Sequence, residues 1–233
     1  MIEYLLEPFS YDFMVKAIWT CTLVGGLCAY LSCYLVLKGW SLIGDALAHA
    51  IVPGVALAYL LSLPYSIGSF FAGFLAVLSM IAIKIFTKLR EDTVIGIIFT
   101  SFLALGLVIA SFSPVSVDIE GIILGNILGI SDYDILQVII ISAICFTAVT
   151  LKWKDIFLVF FDEGYAESIG LNIICTKILF FTLLTASIVA ALQAVGASLV
   201  IALIITPGST AYLLTDKFNK LIILSISIGT CTS

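Results

Sequence analysis

The sequence predicts an all-α integral membrane protein, a polytopic helix bundle of about seven full spans and a partial eighth. Three observations carry that expectation: an excess of apolar residues, long stretches without charge, and basic residues gathered between alternate stretches. Of the 233 residues, 62% are hydrophobic and 11% charged, and the mean hydropathy is +1.26. A soluble domain is about half apolar and about a quarter charged. This chain has too few polar groups to cover a water-facing surface, so lipid must be its solvent. The net charge of −5, with 10 Lys and Arg, excludes a nucleic-acid binder, which needs clustered cations against phosphate.

A span needs about 20 mostly apolar residues. Residues 17–37 carry no charge. Residues 39–83 contain only Asp45 and the sole histidine, His49, and Pro64 divides them into two helices. Residues 93–117 and 135–151 are uncharged, and 178–215 are long enough for two spans with a break around 193–196. A last apolar run starts at Leu221 and ends with the chain at Ser233. Met1-Ile2-Glu3, with Glu7 and Asp12, lacks the basic start of a cleavable signal peptide, so the first stretch is expected to remain as a span. The whole of residues 1–233 reads as one transmembrane domain.

Lysine and arginine placement sets the orientation. With the N-terminus outside, the inner loops hold Lys38; Lys84, Lys88 and Arg90; Lys152, Lys154 and Lys177; and Lys217 and Lys220. Only Lys16 falls outside. The longest inner segment, 152–177, mixes Phe157, Phe161, Tyr165 and Ile169 with Asp162, Glu163 and Glu167, which suits a short helix lying on the membrane or a partner. An ordinary interfacial loop explains the same mixture.

The sharpest chemical signal is Asp45 and His49, four residues apart and so on one face of a helix. A charged side chain deep in a span costs about 2.5–3.5 kcal/mol on insertion scales. Such a residue is therefore expected to face a path or a partner. A carboxylate oxygen and an imidazole nitrogen together suit a first-row divalent ion. The plainer alternative is a structural Asp–His hydrogen bond. Gly44, Ala46, Ala48, Ala50 and Gly54 leave room for close helix approach or a narrow path.

Asp118, Glu120, Asp132 and Asp134 lie on the largest outer loop, 113–134, which has no basic residue. It reads as a solvated polar loop, or as a vestibule attracting cations or a metal-delivery protein. Thr206-Pro207-Gly208 is expected to break a helix inside a span, either as a discontinuous pore helix or as a simple proline kink. The six cysteines form no CxxC pair, and buried cysteines act mainly as small hydrophobes. There is no GxxxxGK[ST] phosphate loop, no HExxH and no nucleophile arrangement around the one histidine. The chain is therefore not expected to be an enzyme, and any ATP hydrolysis falls to a separate subunit.

Four stretches resemble the permease subunit of the bacterial ABC-type manganese, zinc and iron importers, and most of all the manganese/iron branch. They are SLIGDALAHAIVPGVALAY from Ser41, LREDTVIGIIFTSFLALGL from Leu89, GNILGISDYD from Gly125 and VAALQAVGASLVIALIITPGSTAYLLTD from Val189. The resemblance implies a permease homodimer in the bacterial inner membrane, with a cytoplasmic ATPase bound to each copy and an extracytoplasmic metal-binding protein delivering the ion. It implies that Asp45 and His49 are the pore pair, and that Asp162, Glu163, Ala166, Ile169 and Gly170 belong to the segment that engages the ATPase. No permanently bound cofactor is implied; the divalent metal, manganese first and zinc or iron next, is cargo. Members of this family continue past the point matching Ser233, so the C-terminus reads as truncated. A secondary cation transporter working without an ATPase is the competing class.

Overall fold

The computed structural model describes residues 11–40, 42–112 and 130–233. Among these the chain is helical, with α1 Asp12–Lys38, α2 Ile43–Ala50, α3 Val52–Leu60, α4 Tyr65–Phe86, α5 Glu91–Ser111 and α6 Asp132–Leu151 in its first part. It continues with α7 Trp153–Phe161, α8 Glu163–Ser168, α9 Ile173–Val195, α10 Ala197–Leu214 and α11 Phe218–Thr232. Counting α2 and α3 as one, seven helices are long and apolar enough to cross a membrane, and α11 is shorter. The bundle of seven spans with a partial eighth is thus as the charge gaps predict.

The axis of the bundle is α1, 78% of whose most apolar stretch is buried, against 22–28% for α4, α5 and α6. Hydropathy cannot single out α1, because every span is apolar all round. Small residues do. A Cβ on Gly25 would lie 2.5 Å from the Gly229 carbonyl oxygen, and one on Gly229 would lie 2.5 Å from the Ala29 Cβ. At that crossing α11 rests on α1, and Ser225 Oγ donates to the Ala29 carbonyl at 2.8 Å. Tyr34 fills the other side, between Phe180 of α9 and Phe218 of α11.

The element boundaries follow local chemistry. Gly39 ends α1 in the left-handed region, φ 75°, where its N–H caps the Leu35 and Val36 carbonyls. Pro64 stands just before α4. The expected break at 193–196 is Gly196, φ 83°, a conformation disfavoured for residues bearing a Cβ. Ser131 and Asp134 form a reciprocal capping box at the start of α6.

One of the two readings of Thr206-Pro207-Gly208 needs correction: the helix is not discontinuous there, because α10 runs through Pro207 to Leu214. Only the one N–H bond is lost there, and Thr210 Oγ1 back-bonds to the Thr206 carbonyl at 2.8 Å. Segment 152–177 carries the short helix that its mixed residues suit, as α7, α8 and the start of α9, with Lys177 within a helix. A feature the sequence reading missed is the one-residue interruption at Ile51 between α2 and α3, where the backbone stays right-handed at φ −75° and ψ −24°. Pro53 has no N–H to give the His49 carbonyl four residues back, and that carbonyl takes the Ile51 N–H instead.

Candidate functional site

Asp45 and His49 both lie on α2, whose opposite face is anchored: Ile43, Ala46, Leu47 and Ala50 are buried, and Gly44 sits against Ile204 of α10, with a Cβ there 2.7 Å from Ile204 Cγ2. His49 Nε2 and Asp45 Oδ1 are 3.4 Å apart, and their side chains are 30% and 40% exposed in the single chain. That separation exceeds the roughly 2.7–3.2 Å of a good hydrogen bond, so the two groups do not satisfy one another. The His49 ring meets the edge of Phe99 from α5 at 5.2 Å. Among the described residues, no group of three or more His, Cys, Asp and Glu comes together as a metal site. The pair therefore supplies an oxygen and a nitrogen, open on the side away from the core.

The other sequence-predicted groups lie apart from this pair. Gly208 is a packing residue: a Cβ there would lie 2.2 Å from Ser32 Oγ of α1. Asp118 and Glu120 of the acidic loop lie outside the described residues, as does Ser41. Asp132 pairs with Lys16 at 2.5 Å. Lys16 and Lys38 are at opposite ends of α1, about 33 Å apart at 1.5 Å per residue. The basic residues predicted to share one side do so for Lys38 and Lys177, which are held by one carboxylate.

That carboxylate is Glu163. Its two oxygens accept from Lys38 at 2.6 Å and Lys177 at 2.9 Å. Asp162 caps α8 through the Tyr165 N–H at 3.0 Å, Ala166 is fully buried, and Gly170 turns the chain with φ 85°. The segment thus divides. Glu163 and Ala166 fasten it to the bundle, while Phe161, Tyr165 and Ile169 remain exposed. Trp40 and Glu91, which the sequence reading did not select, complete this end: the buried Trp40 indole donates its Nε1–H to Glu91, which pairs with Lys84 at 3.6 Å. No local motif marks either residue, since their partners are 51 positions apart.

Burial alone would raise the Glu163 carboxyl, but hydrogen bonds and charge from Lys38 and Lys177 outweigh it and hold the group below the usual carboxylate range. A carboxylate depressed in the folded state stabilises that state above its unfolded pKa, about 4.3, and loses the contribution as pH falls through the lower folded value. Attachment of α8 is expected to hold from neutral pH down to about pH 5 and to weaken below about pH 4. Glu163→Gln should remove most of that dependence. Protease protection of residues 152–177, followed against pH in both proteins, checks this.

Seven apolar spans packed round α1, with an ion-paired helical segment fastened across one end, define a multi-pass membrane protein. The chain belongs to the ABC 3 transport family, which matches residues 10–233. It is 59% identical over 233 residues to the "Chelated iron transport system membrane protein YfeC" of Yersinia pestis, covering 100% of this chain and 79% of that protein. It is 47% identical to the "Manganese transport system membrane protein MntB" of Synechocystis, covering 99% of this chain and 78% of that protein. Among solved structures, "PsaBC from Streptococcus pneumoniae in complex with Fab" superposes with a TM-score of 0.85 at 34% identity, over 99% of this chain and 84% of that one.

Proposed function

We propose that the chain is the membrane-spanning permease subunit of an ATP-binding-cassette importer that brings a first-row divalent metal, iron or manganese, into the cytoplasm. The observation that carries this reading is the Asp45–His49 pair, two unsatisfied ligand groups one helical turn apart on a span whose other face is buried. The sequence reading put manganese first. Relatives named for chelated iron and for manganese support either metal. One imidazole and one carboxylate do not discriminate between them by intrinsic affinity.

The chemistry asked of the pair is modest. An ion released from an extracytoplasmic binding protein must exchange water for protein ligands and then leave again, so two ligands suit transit better than a complete cage does. Backbone carbonyls, water or the second copy of a homodimer supply the rest. The orientation that follows the basic residues puts the N-terminus outside and the Glu163 end in the cytoplasm. There Phe161, Tyr165 and Ile169 form the exposed apolar face that a partner ATPase covers. Hydrolysis belongs to that partner, and the chain moves the ion by alternating access.

Co-purification with the ATPase, followed by uptake of labelled manganese and iron into proteoliposomes, tests the reading. Uptake that requires both the partner and ATP, with each metal competing against the other, is the expected result. Uptake by the chain alone, driven by an ion gradient, would replace it with secondary transport.

A further inference from the structure

The cytoplasmic ends of the helices converge on one indole. Trp40 is 6% exposed. It stacks on Phe181 of α9 and meets the edge of Phe160 of α7, each at 5.2 Å. The ammonium groups of Lys38 and Lys177 lie over its ring at 5.9 and 5.8 Å, and both also reach Glu163 of α8. Its N–H donates to Glu91 at the start of α5, and Glu91 holds Lys84 near the end of α4. Trp40 itself stands three residues before α2, where the Ile43 N–H reaches the Trp40 carbonyl at 3.4 Å, and five before Asp45.

We infer that the Trp40 indole, bonded to Glu91 and lying under the two lysines that Glu163 pairs, is the positioning residue that ties movement of the α7–α8 segment to the helix carrying Asp45 and His49. This rests on the function proposed above and adds the internal link that it lacks. Two features favour a link over mere packing. The contacts on Trp40 are directional and come from different helices: Phe160 of α7 and Phe181 of α9 lie against the ring, and Glu91 of α5 takes the indole N–H. A cavity of about 340 Å³ also opens beside the ring, lined by Met80, Ile95, Lys84, Glu91, Glu163 and Lys177. A relay needs a second arrangement to move into, and this space is sufficient for an indole displaced when α8 is pulled. With two ammonium groups sharing the one Glu163 carboxylate, losing that charge leaves Lys38 and Lys177 to repel one another.

The test uses the complete transporter, permease with its ATPase, in proteoliposomes, and reads manganese taken up per ATP hydrolysed. Trp40→Phe keeps the aromatic contacts and removes the N–H. Glu163→Gln keeps the shape and removes the charge. A coupling free energy of ordinary size corresponds to about 5-fold or more, so the ratio is expected to fall by at least about 5-fold in each variant, and Glu163→Asp should recover part of it. Because the ratio is taken per assembled complex, a loss of protein through poor folding does not mimic the effect. An unchanged ratio, with uptake and hydrolysis falling together, would show that Trp40 is only structural and overturn the inference while leaving the importer intact. A wild-type complex without ATP-dependent uptake would overturn both.

Discussion

Alanine at Asp45 or at His49 is expected to lower metal uptake about 100-fold without lowering the amount of permease in the membrane. The size follows from the ligand count. Losing even an outer-shell partner of a bound metal typically costs about 10–100-fold in affinity. A span that offers only two ligand side chains has no third to take the place of either. The neutrality of membrane content follows from lipid energetics, because removing an ionisable side chain from a span relieves an insertion cost of about 2.5–3.5 kcal/mol. Neither side chain is fully buried: the pair is 3.4 Å apart, with 30% of His49 and 40% of Asp45 exposed. Function and stability therefore separate at these positions. Asp45→Asn, which keeps the shape, should be nearly as inactive as Asp45→Ala. Uptake of labelled manganese and iron, normalised to permease in the membrane, measures the effect. Wild-type uptake in the Asp45 and His49 variants would remove the pair from the transport path.

Much of this was legible in the chain because lipid makes the rules simple. Charge gaps located the spans, since an unpaired charge in hydrocarbon is too costly to place by accident. Gly196 and Pro64 mark breaks for backbone reasons that need no tertiary context. Asp45 and His49 were visible as a pair because helical spacing alone puts them on one face. The illegible parts are those set by partners far along the sequence. Glu163 reads as a solvated acid until α1 and α9 bring Lys38 and Lys177 to it. Trp40 looks like an interfacial aromatic until Phe160, Phe181 and Glu91 enclose it. Pro207 reads as a break or a kink, and only the tertiary structure shows α10 continuous through it with Gly208 packed on Ser32. Which face of an all-apolar helix is buried is likewise a tertiary fact, and the only local hint is where side chains are smallest.

That hint leads to the largest expected loss of stability, Gly54→Val. The α3–α4 hairpin is so close that a Cβ on Gly54 would lie 2.1 Å from the Gly68 carbonyl oxygen, and one on Gly68 would lie 2.3 Å from the Gly54 oxygen. The obstructing atoms are backbone, so no rotamer change relieves the overlap. Against α5 the approach of α3 is also close, since a Cβ on Gly106 would lie 2.9 Å from the Pro53 nitrogen. Helix association in lipid depends on such contacts because lipid tails solvate an apolar surface as well as another helix does. Overpacking a core costs about 1–3 kcal/mol and occasionally more, and a clash against backbone belongs at or above the top of that range. Gly54→Val and Gly68→Val should each destabilise the protein by at least about 3 kcal/mol in a detergent unfolding titration. Gly96→Ala is the matched control: nothing lies within 4 Å of a Cβ there, and the change should be neutral or stabilise by up to about 1 kcal/mol. If Gly54→Val and Gly96→Ala unfold alike, then α3 and α4 do not cross in backbone contact, and the glycines following His49 line open space rather than close the bundle.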